Sequence, residues 1–132
     1  MSDDNLENNM IRKTEMNLKL KHIPRNFINV ANEKEFNELL ENFPDYLFVI
    51  DFWAIWCAPC KSYAPIFEKA SLTFSRDFTF LKINVDDNQK ITRLYGIKSI
   101  PTTLILKGKQ IMRKFTGAVT YDILKQILEK FL

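Results

Sequence analysis

Histidine and cysteine are scarce in this chain, with one of the first and two of the second among 132 residues. Two cysteines cannot build the framework of bridges that holds small secreted domains together. A bridge closing only the segment from Cys57 to Cys60 would also restrict the unfolded chain little. A structural zinc site takes about four Cys or His ligands, and the lone histidine, His22, lies far from the pair in a polar leader, so zinc would need a dimer sharing two pairs. Thiol chemistry is the reading that remains. No apolar run approaches the roughly 20 residues that cross a bilayer. The opening MSDDNLENNM is acidic and polar where a signal or transit peptide is basic, so a cytoplasmic address is expected. The net charge of +3, from 19 Lys and Arg against 16 Asp and Glu, is too mild to imply nucleic acid or an anionic membrane as partner.

What is present has the balance of one globular domain, 46% hydrophobic and 27% charged. Residues 1–24, rich in Asn, Asp and Lys and closed by Pro24, are expected to form a polar, flexible extension, with the folded domain spanning 25–132. NFINV reads as a short strand. Asn32 followed three residues later by Glu35 is a helix-start signal, after which Phe36, Leu39, Leu40 and Phe43 recur at helical spacing until Pro44. YLFVIDFWA is an apolar, aromatic and β-branched run, the pattern of a strand buried on both faces. From Ala58 to about Phe74 the period is helical again, with Pro65 inside it. FTFLKINVD predicts a second buried strand, NQKITRLYG a short helix ended by Gly96, and TTLILK–Gly108–QIMRKFT a hairpin. Thr120 then caps a helix whose apolar stripe is Leu124, Ile127, Leu128 and Phe131. The order βαβαβαββα implies an α/β fold with a mixed sheet and helices on both faces. Sites in such sheets form where strands end and helices begin, and the cysteine pair sits at one of those junctions.

A helix that starts near Cys57 places Cys60 one turn further on, where residues three apart share a side and can close a disulfide. The first turn also sets the Cys57 sulfur among unpaired N–H groups at the positive end of the helix dipole. That favours its thiolate, so Cys57 is expected to be the exposed nucleophile. Cys60, deeper in the helix, is expected to be less exposed and to attack a mixed disulfide formed on Cys57. Pro59 suits the first turn, where its missing N–H has no partner. Trp53 and Trp56 read first as packing residues, Trp56 also having an edge to offer a bound peptide. Asp51 interrupts an apolar strand; if buried, desolvation raises its pKa and makes it a candidate to take the Cys60 proton.

These residues resemble the thioredoxin family. VIDFWAIWCAPCK resembles its strand and active-site run, KSYAP the helix that follows, and FLKINVDDN the next strand with its lysine. YGIKSIPTTLILKGKQI is similar to the segment holding the cis-proline, and FTGAV to the last landmark; the likeness spans about 26–132. It implies a central mixed five-stranded β-sheet flanked by four α-helices. Cys57 would then be the attacking thiolate, Cys60 the resolving thiol, Asp51 the buried proton-transfer group and Lys82 the modulator of its charge. Pro101 would be cis, and Trp56, Ala58, Pro59, Ile100, Pro101, Gly117 and Ala118 would form the surface for substrate polypeptides. Ala58 and Ser99 stand where glycine is usual and add bulk there. The implied function is protein-disulfide reduction by dithiol–disulfide exchange, with disulfide-containing proteins as substrates. A thioredoxin reductase would return the electrons; no bound cofactor, no metal and a monomer are expected. A disulfide oxidase or isomerase of the same fold is a competing reading, and a non-catalytic binding module with this fold is another.

Overall fold

The computed structural model describes residues 26–132. The expected polar extension at 1–24, and the leader's His22, lie outside the described residues. In chain order the elements are β1 (Phe27–Asn29), α1 (Glu33–Asn42), β2 (Leu47–Trp53), α2 (Ala58–Thr73), β3 (Thr79–Asn84), α3 (Gln89–Leu94), β4 (Thr102–Lys107), β5 (Gln110–Thr116) and α4 (Tyr121–Glu129). The described residues thus form the expected thioredoxin fold, five strands and four helices.

The helix boundaries follow from local chemistry. Asn32 Oδ1 accepts from the Glu35 backbone N–H at 2.9 Å, and Thr120 Oγ1 accepts from Ile123 N–H at 3.3 Å, each satisfying an otherwise orphaned donor of a first turn. Pro44 lies just past the end of α1, and Gly96, at φ +64°, past the end of α3. Helix α2 continues through Pro65 for 16 residues, with Pro65 on its solvent side.

The sheet order is β1-β3-β2-β4-β5, parallel from β1 through β3 to β2 and antiparallel from β2 to β4 to β5. Because successive side chains of a strand point to opposite faces, β2 divides its residues between two cores. Phe48, Ile50 and Phe52 pack with Phe36 and Leu40 of α1 and Ile91 of α3. Val49 packs on the other face with Tyr63 and Phe67 of α2 and Leu124 and Leu128 of α4. Asp51 shares parity with Val49 and therefore faces α2 and α4. The register places it in one row across the sheet, in which Asn29, Lys82, Asp51, Thr103 and Phe115 are successive partners. Edge-to-face contact between Phe67 and Phe80, with ring centres 5.4 Å apart, fills the same face.

Candidate active site

The antiparallel turn of β4 against β2 builds the site. Phe52 pairs with Thr102, so the carboxyl end of β2 meets the amino end of β4, and the segment before Thr102 crosses in front of the chain leaving β2. Cys57 is the N-cap of α2: its sulfur accepts from the Cys60 backbone N–H at 3.2 Å, and its carbonyl accepts from Lys61 N–H at 3.3 Å. Pro59 stands in the first turn. The two cysteines are joined in a disulfide with their Cα atoms 5.3 Å apart. The Ile100–Pro101 bond is cis, and the Ile100 carbonyl oxygen lies 3.8 Å from Cys57 Sγ.

An open cleft of about 440 Å³ runs between the start of α2 and the segment before β4. Trp56, Cys57, Ala58 and Pro59 line it from the first side and Ile97, Lys98, Ser99 and Ile100 from the second, with Val85 and Thr92 completing the lining. The far wall is tied down by the sheet. Thr102 Oγ1 donates to the Ser99 carbonyl at 2.6 Å, Gly117 N–H to the Pro101 carbonyl at 2.8 Å, and Lys114 Nζ to the Tyr95 and Gly96 carbonyls at 3.1 and 3.0 Å.

Two expectations need correction. Cys57 is not exposed: it is 5% accessible against 3% for Cys60, since the Ala54 turn, Trp53 and Ile100 pack around both. What separates the sulfurs is the cleft, whose lining includes Cys57 and not Cys60. Trp56 is not a packing residue, being 69% exposed. Its indole N–H donates to Asp86 Oδ2 at 2.8 Å, which holds the ring at the mouth of the cleft. Trp53 keeps the packing role and sets its ring 5.1 Å from Lys82 Nζ.

Of the residues expected to form a substrate surface, Trp56, Ala58, Pro59 and Ile100 line the cleft. Pro101 is buried behind Ile100, and Gly117 and Ala118, both exposed, are outside the lining and joined to it through the Gly117–Pro101 hydrogen bond. The lining residues Val85, Thr92, Ile97 and Lys98 escaped the sequence reading. The run from Thr92 to Ser99 just before Ile-Pro was the available signal, since whatever precedes the crossing segment must border it.

Asp51 is fully buried, and neither carboxylate oxygen has a hydrogen-bond partner among the described residues. Lys82 Nζ is 3.8 Å from Oδ2. Burial raises the Asp51 carboxyl from the ordinary 3.8 to about 7, against the attraction of Lys82 and with a further push from Glu68. The group therefore exchanges a proton near neutrality. Cys60 and Tyr63, three apart, both lie on the buried face of α2 above this row, so the second sulfur and Asp51 occupy the same side of the sheet. Among the described residues no group of three or more His, Cys, Asp or Glu gathers as a metal would require, and no helix is long and apolar enough to cross a membrane.

A mixed sheet that presents a helix-capping disulfide to a peptide-sized cleft, above a carboxyl that titrates near pH 7, defines a thiol–disulfide oxidoreductase. The family model described as Thioredoxin matches residues 27–130, and the chain belongs to the thioredoxin family. It is 40% identical over 84 residues to Thioredoxin 1 of Nostoc sp., covering 64% of this chain and 78% of that protein. It is 35% identical over 104 residues to the chloroplastic Thioredoxin M4 of Arabidopsis thaliana, covering 79% of this chain and 53% of that one. The solved thioredoxin of Plasmodium falciparum superposes with a TM-score of 0.71 at 33% identity, over 79% of this chain and 98% of its own. The chain is accordingly a protein-disulfide oxidoreductase that works by dithiol–disulfide exchange through Cys57 and Cys60.

Proposed function

We propose that this protein reduces disulfides of other proteins, with Cys57 as the attacking thiolate, Cys60 as the resolving thiol and Asp51 as the group that takes the Cys60 proton. The observation that carries the assignment is that Cys57 lines the cleft while Cys60 does not. In the dithiol form, the Cys60 N–H at the head of α2 stabilises negative charge on Cys57. The thiolate attacks one sulfur of a substrate disulfide, forming the mixed disulfide and releasing the other substrate sulfur as a thiolate. Cys60 then loses its proton to Asp51 and attacks Cys57 Sγ. The mixed disulfide breaks, the Cys57–Cys60 disulfide forms, and the second substrate sulfur leaves as a thiolate. The substrate gains two electrons and its thiolates take up protons from water, while Asp51 returns its own to solvent; Lys82 favours the charged state of Asp51 throughout.

Trp56, Ala58, Pro59 and Ile100 would hold the substrate strand, with Pro101, Gly117 and Ala118 extending that surface. The carbonyls of Ser99 and Pro101 are occupied by Thr102 and Gly117, and the backbone of Ile100 between them, beside Cys57, is free to pair with a substrate strand. Recognition through backbone gives broad specificity. The same reading makes a thioredoxin reductase the electron source and a monomer in the cytoplasm the working form. The test is insulin reduction with dithiothreitol as electron source. Cys57→Ser should abolish it, and Cys60→Ser should accumulate mixed disulfides; full turnover by Cys57→Ser would overturn the mechanism. An equilibrium with glutathione far on the oxidising side would favour the oxidase reading, and intact capture of partners without turnover the binding-module one.

A further inference from the structure

Directly across the β2–β4 ladder from Asp51 stands Thr103, also fully buried. Its Oγ1 is 2.7 Å from the hydroxyl of Tyr63, which descends from the buried face of α2. Each hydroxyl carries one donor hydrogen, and one of the two is consumed in the bond between them. The pair has no further hydrogen-bond partner among the described residues, so one O–H is left over whichever atom donates. Beside it is a carboxylate with two oxygens and no donor. Opposed side chains on neighbouring strands have Cβ atoms about 4.5–5.5 Å apart, within reach of one another's polar ends. A surplus donor and an orphaned acceptor are thus buried side by side, where each alone is costly.

We propose that Tyr63 and Thr103 act as a positioning pair for the proton step: their surplus O–H donates to the Asp51 carboxylate when it is charged, and turns away when Asp51 accepts the Cys60 proton. The inference rests on the role proposed above for Asp51. The step itself moves only a proton, from Cys60 Sγ to an Asp51 oxygen, while the sulfur's electron pair forms the new bond to Cys57. The other groups facing Asp51 are Lys82 from β3 and Glu68 from α2. Helix α4 presents the apolar Leu124, Ile127 and Leu128 to this face, with the partly buried Tyr121 packed against the same cluster and its hydroxyl donating to Thr73 Oγ1. Lys82 opposes the proton and Glu68 favours it. The buried Trp53 indole N–H also lacks a partner but is fixed on its ring, whereas the hydroxyl pair has an O–H that can turn toward the carboxylate or away from it as the proton moves.

The experiment reads the Asp51 carboxyl directly, by carbon-13 NMR titration of the oxidised protein, in which neither thiol titrates. Thr103→Val and Tyr63→Phe keep the shape and remove one hydroxyl each, and the hydroxyl that stays keeps its own O–H. Only the double variant removes both donors, and it should raise the Asp51 titration midpoint by roughly one unit, because the charged form then loses a charge-assisted donor. Each single variant should shift it less than the double, since one O–H remains to donate. Thr103→Ser should restore the parent midpoint. The acid limb of the exchange rate against pH should move with it. A midpoint unchanged in the Thr103→Val, Tyr63→Phe double variant overturns the proposal. Asp51→Asn separates the two readings. If it leaves the exchange rate intact, the role of Asp51 as proton acceptor falls, while the titrations still decide whether the hydroxyl pair donates to it.

Discussion

Removing the Asp51 carboxyl should change how stability depends on pH, and the size of the change can be worked from the site. The folded protein holds the Asp51 proton up to about pH 7, while the unfolded chain releases it near 3.8. Between those values the native state binds one more proton than the unfolded state, so stability falls as pH rises. The contribution is full below pH 3.8 and is lost as pH passes through 7. About three units at about 1.4 kcal/mol each give a loss of about 4 kcal/mol. Asp51→Ala has no such term. Its cavity, and the Lys82 ammonium left beside it, shift its stability by an offset that changes little over this range. The difference in unfolding free energy, Asp51→Ala minus parent, should therefore climb by about 4 kcal/mol between pH 4 and pH 8.5. Urea unfolding of the oxidised proteins at half-unit intervals measures it, since all other titrating groups cancel to first order. Two curves that stay parallel within about 1 kcal/mol, the usual error of such extrapolations, would refute the argument.

Two further outcomes test the frame around the site. Gly108 sits at φ +56° in the β4–β5 turn, and a Cβ there would run into the Pro44 carbonyl, so Gly108→Ala should lose at least about 2 kcal/mol and about 10 °C in Tm. Gly96→Ala, at φ +64° with Lys114 Nζ at an ordinary 3.5 Å, should lose only about half of that; equal losses would show that the Pro44 contact is not the cause. Asp86→Ala frees the Trp56 indole without touching the sulfurs, and should lower kcat/KM for insulin by about two- to tenfold through KM, with kcat held. An unchanged KM would remove Trp56 orientation from the account of substrate binding.

Much of this was legible in the chain because it is written in local pattern. The change of period from two to 3.6 gave the element order, and Asn32, Pro44, Gly96 and Thr120 punctuate it where hydrogen bonds at helix ends demand. Asp51 announced itself as a carboxyl in an apolar strand. The features that escaped depend on residues far apart in sequence. Nothing near Trp56 says that Asp86 will hold its ring outward, and nothing near Tyr63 says that Thr103 will be its partner, 40 residues on. The burial of Cys57 was misjudged for the same reason. A turn before a helix is ordinarily exposed, and this one is covered by Ile100, which only the return of β4 beside β2 brings there.

That return also explains why a costly carboxyl sits at the centre of the sheet and not at its rim. Strand β2 has a neighbour on each side, β3 bringing Lys82 and β4 bringing Thr103, and α2 lies over it with Cys60 and Tyr63 on its buried face. An Asp on an edge strand would be wet, would titrate near its ordinary 3.8, and would stay charged at neutral pH with little appetite for a thiol proton. Only a central strand can lower the solvation of the carboxyl enough to bring it near 7 while still supplying, from its two neighbours, a cation and a hydroxyl to keep the charged form accessible. The destabilisation expected at high pH and the proton affinity needed for exchange are therefore one quantity measured two ways. Any substitution in the row Lys82, Asp51, Thr103 that relieves the first should slow the second.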